Sequence, residues 1–179
     1  ASDVYKRQLP DIPEGYMKSA AEIVRNAGGL VVIDEVQSGF CRTGNWWGYE
    51  TVGIEPDIVT MGKPMGNGLP LSAAAASQEI VEGYRSRSRY FNTFASSPLQ
   101  AATGMAVLQE IEDQDILHRV ANVGQYLRDN LNIYQDKVAA LGDIRSQGLF
   151  IGLDWVTDKT SLEPDQDGAV SYTHLRAHE

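Results

Sequence analysis

The stretch Leu30-Val31-Val32-Ile33-Asp34-Glu35-Val36-Gln37-Ser38-Gly39-Phe40 decides how this chain folds. Its first four residues are apolar and uninterrupted, which predicts a strand of a parallel sheet that is buried on both faces. Asp57-Ile58-Val59-Thr60-Met61 predicts a second strand, and the small-residue run Leu71–Ala76 predicts a third. The chain therefore contains the strands of a sheet within its first half.

Segments with helical spacing of apolar residues precede and follow these strands. They cover Tyr16–Asn26, Ser77 or Gln78 to about Tyr84, Pro98–Asp113, and Ile116 to about Ala140, where Gly142-Asp143 ends the helix. A further strand is predicted over Leu149–Trp155. Strands that alternate with helices predict an α/β fold with a mostly parallel sheet.

Composition limits the classes of partner. The 179 residues are 42% hydrophobic and carry a net charge of −9, so the chain can bury a core but is a poor match for nucleic acid or an anionic membrane surface. No apolar run approaches the roughly 20 residues that span a bilayer. Cys41 is the single cysteine, which excludes an intrachain disulfide and favours a reducing, cytoplasmic compartment.

Two polar residues follow the first two strands. Asp34 ends the first apolar run, and Lys63 lies in the glycine-rich loop Met61–Pro70. Pyridoxal phosphate chemistry requires this pair, because a lysine forms a Schiff base with the cofactor aldehyde and an acid keeps the pyridine nitrogen protonated. From these residues alone, Asp34 as a cap of the following turn and Lys63 as a solvated loop lysine stay open. A Walker A loop is excluded because Pro64 stands where that motif needs Ser or Thr.

Four motifs in a fixed order carry a resemblance to a known family. They are VVIDEVQSGFCRTG (31–44), PDIVTMGKPMGNGLP (56–70), YFNTFASSP (90–98) and GDIRSQGLFIGLDW (142–155). The chain resembles the class III (omega-type) aminotransferases of the type I pyridoxal-phosphate fold. The sequences of these motifs are most similar to those of the branch that holds alanine–glyoxylate aminotransferase 2 and ethanolamine-phosphate phospho-lyase. The resemblance implies pyridoxal 5'-phosphate as cofactor, and a small-molecule amino donor and oxo acceptor as substrates.

The resemblance also implies a role for individual residues. Lys63 would hold the cofactor and then move the substrate's α-proton, with Asp34 at the ring nitrogen. Val36 would pack on one face of the ring, sharing Asp34's face if the strand continues, and Gln37 would hydrogen-bond the ring 3-oxygen. Thr93 would reach the cofactor phosphate of a neighbouring subunit, which implies a homodimer with shared sites. Glu35 would face away from the cofactor and be structural.

Two alternatives to amino transfer stay open. A phospho-lyase that eliminates phosphate from a phosphorylated amino alcohol needs Asp34 and Lys63 equally, so these residues do not distinguish it from a transaminase. Class III enzymes are much longer chains, so this sequence is expected to be an internal fragment that is inactive by itself. The upstream phosphate loop of the family and its ring-stacking aromatic residue are not in the sequence.

The resemblance divides the chain into segments. Residues 9–115 would be the second half of the large cofactor domain, 116–142 a bridging helix, and 143–169 the start of the small domain, with Phe150–Trp155 as its first strand. Residues 1–8 and 170–179 resemble translated sequencing-adapter read-through and are expected to be artefactual, although ordinary disordered termini would look similar.

Departures from the family pattern fall close to the expected site. Cys41 stands where the family usually has glycine, and Ala95-Ser96-Ser97 replaces a typical Gly-Gly-Asn before Pro98. Glycine loss restricts the backbone, so both changes bear on cofactor binding. His174 and His178 have the spacing of a helical metal pair but lie in the suspected tail without a third ligand, so no metal site is predicted.

Overall fold

The computed structural model describes residues 12–95 and 97–165, so the predicted tails and the pair His174 and His178 lie outside the described residues. The chain divides into two compact units, one spanning 12–120 and the other covering 121–165 of the described part. The division falls inside a helix. The domain boundaries expected from the resemblance stay predictions.

The first unit contains three strands and three complete helices. In chain order they are α1 (Tyr16–Asn26), β1 (Val32–Asp34), β2 (Ile58–Met61), β3 (Ala73–Ala76), α2 (Gln78–Arg87) and α3 (Pro98–Asp113), with short 3-10 turns at Gly48–Val52 and Lys63–Gly66. Helix α1 has the predicted bounds, and α3 begins at Pro98, where a proline loses no intrahelical hydrogen bond. Ser77 caps α2 by accepting a hydrogen bond from the Ile80 N–H.

The sheet of this unit has the order β1-β2-β3. Strands β1 and β2 are parallel, with Asp34 opposite Thr60. Strand β3 runs antiparallel to β2, with Ala76 opposite Ile58. The predicted α/β fold is confirmed, and the predicted parallel pairing holds for the first two strands. The run of alanines in β3 carried no signal of its direction.

Strand β1 is less buried than its sequence predicted. Leu30 is 53% and Val32 54% exposed, whereas a strand buried on both faces was expected. The expectation is wrong for the described residues, among which β1 is an edge strand with β2 on one side only. An uninterrupted apolar run indicates that a strand can be buried, and its neighbours decide whether it is.

The second unit combines the long helix with an antiparallel sheet. It contains most of α4 (Ile116–Gln135), followed by β4 (Leu141–Gln147), β5 (Phe150–Asp158) and β6 (Glu163–Pro164). The helix ends at Gln135, before the predicted end near Ala140. Strand β4 was not predicted, so Phe150–Trp155 belongs to the second strand of this unit, and the prediction that it is the first is wrong.

Gly142 predicts the end of a helix, so the sequence does not indicate that β4 begins at Leu141. A Cβ atom at Gly142 would lie 2.7 Å from a methyl of Val156, so glycine allows the close approach of β4 to β5. Leu141 and Ile144 are buried and supply the core of the hairpin. Arg145, whose side chain is only 14% exposed, pairs with Asp143 of its own strand and with Asp154 of β5, and the second pair joins the two strands. No helix in the described part of the chain combines the length and apolarity that a membrane crossing needs.

Candidate active site

The parallel pairing of β1 and β2 brings Asp34 and Lys63 to one edge of the sheet. Asp34 is the last residue of β1 and pairs with Thr60. Strand β2 ends at Met61, and Lys63 begins the following 3-10 turn. Because the carboxyl ends of parallel strands meet at the same edge, Asp34 and Lys63 both lie at the end of the sheet where α/β proteins bind ligands.

The Asp34 carboxylate has one oxygen in use and one available. Its Oδ1 atom accepts hydrogen bonds from the Val36 N–H at 3.0 Å and the Thr60 hydroxyl at 3.4 Å. Among the described residues, none donates to Oδ2, and the side chain is exposed. The carboxylate is therefore oriented by its neighbours and still has an oxygen for an external N–H donor.

Lys63 lies in a loop of unusual backbone conformation. Its φ is +23°, and Asn67 and Gly68 follow with φ of +40° and +112°. Conformations of this kind at a residue other than glycine cost roughly 1–3 kcal/mol and concentrate at functional sites. The Lys63 side chain is exposed, so the dry pocket predicted from its chemistry is not formed by the described residues alone.

Val36 reaches this site by a different route from the one predicted. Strand β1 ends at Asp34, and residues 35–39 form a turn in which the Gly39 N–H donates to the Glu35 carbonyl, so the strand does not continue to Val36. A Cβ atom at Gly62 would lie 3.6 Å from both Val36 methyls, which is van der Waals contact. The valine thus packs beside the residue that precedes Lys63.

Gln37 and Thr93 are exposed, as cofactor ligands can be before binding. The described residues make no hydrogen bond with the Gln37 side chain. Thr93 lies in a turn closed by a hydrogen bond from the Phe94 N–H to the Asn92 side chain, shortly before α3. No hydrogen bond in the described part of the chain joins Thr93 to Asp34 or Lys63, so its role toward a neighbouring subunit stays a prediction.

A cleft of about 600 Å³ opens beside the lysine loop. Its polar lining includes Arg42, Lys63, Asn67, Thr103 and Glu110, and α3 forms one wall. Asp34, Gln37 and Thr93 do not line it. The described residues therefore form one wall of a site around Lys63 and leave the sheet edge at Asp34 open.

Glu35 has a role that the sequence did not specify. Its side chain is 1% exposed, and its carboxylate accepts hydrogen bonds from the Ser38 hydroxyl and the backbone N–H groups of Gly48 and Tyr49, each at 2.8 Å. The residue faces away from Asp34, as strand alternation predicts. Two of its partners, Gly48 and Tyr49, are 13 and 14 positions away and had no sequence signal.

The loop after Gln37 is closed by aromatic packing. The Phe40 and Trp47 rings meet edge to face at 5.3 Å, and Trp47 stacks with Tyr49 at 6.5 Å. Inside this loop Cys41 is fully buried with φ of +67°. Burial, and secondarily the Glu50 carboxylate, raises the pKa of the Cys41 thiol, so the thiol stays protonated at neutral pH.

Comparison with known proteins decides the family. The model for Aminotransferase class-III matches residues 11–172. The chain belongs to this family. The resemblance inferred from the four motifs is thereby confirmed, as is the type I fold of its structural neighbours.

Three similar proteins illustrate the range of this class III chain's relatives. An alanine–glyoxylate aminotransferase 2 homologue (homolog 2, mitochondrial) of Arabidopsis thaliana is 43% identical over 87% of this chain and 32% of its own length. A phospholyase from Arthrobacter, solved in complex with phosphoethanolamine, is 41% identical with a TM-score of 0.84, over 89% of this chain and 38% of its own. The taurine:2-oxoglutarate aminotransferase of Bifidobacterium kashiwanohense, solved with PLP and glutamate, is 26% identical with a TM-score of 0.82, over 88% and 36%. The chain thus spans about a third of the length of these relatives.

Proposed function

We propose that this chain carries part of the active site of a pyridoxal-phosphate-dependent aminotransferase, which moves an amino group from a small amine or amino acid to a 2-oxo acid or aldehyde. The observation that carries the proposal is the placement of Asp34 and Lys63 at the carboxyl ends of two paired parallel strands. Membership of the class III family supports it.

The residues present fit the cofactor. Oδ2 of Asp34 is open to the ring N–H, while Oδ1 is held by the Val36 N–H and the Thr60 hydroxyl. The Lys63 amine is exposed and makes no ion pair with the described residues. When bound, pyridoxal phosphate supplies an aldehyde carbon that reacts with amines and a protonated ring that accepts electrons.

The chain's own side chains then divide the work. Asp34 keeps a proton on the ring nitrogen, because a carboxylate beside it favours the charged form of the ring. Lys63 Nζ would hold the cofactor and would be the base that takes the proton from the substrate's α-carbon and returns it. Val36 and Gln37 orient the ring.

A second candidate is elimination of phosphate from a phosphorylated amino alcohol. The likeness to the Arthrobacter phospholyase solved with phosphoethanolamine favours it. Asp34 and Lys63 would serve both reactions, since each begins with proton removal beside the amine. In the full-length protein, release of inorganic phosphate from phosphoethanolamine identifies the lyase, whereas conversion of pyruvate or glyoxylate to its amino acid identifies the transaminase.

Covalent labelling tests the cofactor proposal on this chain. The chain is incubated with pyridoxal phosphate, reduced with borohydride and digested, and the modified lysine is identified by mass spectrometry. Label on Lys63 that disappears in Lys63→Arg is expected. Exposed Lys18, on α1, serves as the internal control. Equal labelling of Lys18 and Lys63 would contradict a specific site.

We also propose that the whole protein is a homodimer in which Thr93 contacts the partner's cofactor phosphate, and that it works in the cytoplasm. The exposure of Thr93 and its position just before α3 support the first proposal, because hydroxyls near helix starts suit phosphate. The buried, protonated Cys41 is compatible with a reducing compartment. Sedimentation of the full-length protein with and without pyridoxal phosphate, and cell fractionation, test the two proposals.

A further inference from the structure

We infer that Glu35 is a positioning residue, which fixes Val36 and Gln37 for contact with the cofactor ring through the turn that contains them. The inference rests on the proposed function for the ring contacts, and on the structure for the geometry. The hydrogen-bond partners of the Glu35 side chain are Ser38, Gly48 and Tyr49, and neither Asp34 nor Lys63 is among them.

The Glu35 carboxylate is a fully buried acceptor with both oxygens in use. Oε1 accepts the Tyr49 N–H, and Oε2 accepts the Gly48 N–H and the Ser38 hydroxyl, all at 2.8 Å. A buried carboxylate is costly unless such donors compensate it. The two N–H groups lie in the first turn of a 3-10 helix, where backbone donors are otherwise unpaired. The three donors therefore fix the side chain in one place.

The backbone of Glu35 is fixed as firmly as its side chain. Its N–H donates to the Thr60 carbonyl of β2 at 2.9 Å, and its carbonyl accepts the Gly39 N–H at 3.0 Å. Ser38, held by the carboxylate, lies on the other side of Gln37. Val36 and Gln37 thus lie between Glu35 and Ser38, whose side chains are hydrogen-bonded to each other, which is how a buried acid can set the direction of exposed side chains.

Gly48 provides an independent sign that the space around this carboxylate is closely filled. A Cβ atom there would lie 2.6 Å from the Ser38 Cβ and 3.3 Å from Glu35 Oε1. Any side chain at position 48 would push apart the groups that bind the carboxylate. The arrangement needs glycine at 48, serine at 38 and glutamate at 35 together.

Amide hydrogen exchange, measured without cofactor on the unsubstituted chain and on its variants, tests the inference. Glu35→Gln keeps the shape but presents an NH₂ group to backbone donors. We expect exchange to accelerate about tenfold or more, the effect of losing one net hydrogen bond, at Gly48 and Tyr49 and also at Val36 and Gly39, which flank Gln37. Glu50→Gln is the matched control, since Glu50 also accepts a backbone N–H in this loop but is exposed.

The pattern of exchange separates positioning from simple support of the loop. Acceleration confined to Gly48 and Tyr49, or an equal effect of Glu50→Gln at Val36 and Gly39, would overturn the inference. Should Glu35→Gln fail to fold, Ser38→Ala removes one donor alone, and is expected to accelerate exchange at Gly39 severalfold while protection in α1 is unchanged. No change at Gly39 would overturn the inference in that case.

The cofactor gives a second readout. In chain loaded with pyridoxal phosphate, Glu35→Gln should change the visible circular dichroism of the bound cofactor, because the ring orientation is less fixed, and Glu50→Gln should not. Absence of labelling at Lys63 in the unsubstituted chain would refute the proposed function, whereas the exchange pattern would still decide whether Glu35 holds Val36 and Gln37.

Discussion

Cys41 shows how a single residue can conflict with its backbone. Its φ of +67° is a conformation that favours glycine, since a side chain in the left-handed region costs roughly 1–2 kcal/mol. The cysteine persists with its side chain fully buried. Packing of the thiol inside the aromatic loop offsets the unfavourable conformation.

The backbone conformation at Cys41 predicts that a glycine variant is more stable than an alanine variant. Replacement by alanine removes the sulfur and keeps the strain, whereas replacement by glycine removes both. We expect the free energy of unfolding of Cys41→Gly to be about 1 kcal/mol higher than that of Cys41→Ala. Urea denaturation of both variants measures this difference. Greater stability of the alanine variant, the usual order within regular structure, would contradict it.

At the scale of elements, Asp57 connects α1 to the two parallel strands. Its carboxylate accepts the Val31 N–H, just before β1, at 2.7 Å and pairs with Arg25 of α1 at 3.3 Å. The Val31 N–H, and then Arg25, hold the pKa of Asp57 below its ordinary value. The residue itself lies just before β2, so one side chain joins the starts of both strands to the helix.

The lowered pKa of Asp57 gives a pH-dependent contribution to stability. A carboxyl group whose pKa is depressed on folding stabilises the protein at any pH above its pKa in the unfolded chain, about 3.9. This contribution is lost as the pH falls through the lower pKa of the folded state. Asp57→Asn should therefore lower the urea midpoint at pH 7, and the difference from the unsubstituted chain should shrink below about pH 4. Asp113→Asn, at the end of α3, is the control. A difference that is independent of pH would exclude this mechanism.

At the scale of the whole molecule, the chain exposes large apolar side chains near the start of α3. Phe91 and Phe94 are each 84% exposed and Leu99 is 66% exposed. Contiguous exposed apolar surface indicates an interaction site, because its burial is worth about 1.5–3 kcal/mol for each large side chain. The two phenylalanines flank Thr93 in the sequence, and the proposed contact of Thr93 is with a neighbouring subunit.

This surface predicts concentration-dependent association of the isolated chain. Sedimentation velocity should show self-association that the double change Phe91→Ser and Phe94→Ser weakens about tenfold or more, as expected for burial of one large side chain or more. Tyr126→Ser, at a residue that is 70% exposed on α4, is the control. An equal effect of this change would mean that association is not specific to the Phe91–Phe94 surface.

The elements predicted well were those with local signals. Helix α1 and the start of α3 follow from apolar spacing and from Pro98, and the start of α2 was predicted to within a residue, at Ser77 or Gln78. Asp34 and Lys63 could be paired from sequence because they follow adjacent strands. Strand β4 could not be predicted, because a glycine at position 142 indicates the end of a helix. The close approach of Gly142 to Val156, which explains the glycine, exists only in the folded chain.

The sequence by itself determined the family, the order of the helices and strands up to the end of α4, and the candidate acid and amine, because apolar period, caps and ordered motifs are all local properties. Only the tertiary structure decided that β1 is an exposed edge in the described part, that β3 is antiparallel, and that Glu35 binds Gly48 and Tyr49. Those facts depend on which distant backbone groups meet, and hydrogen-bond partners far apart in the chain leave no periodic trace in the residues that join them.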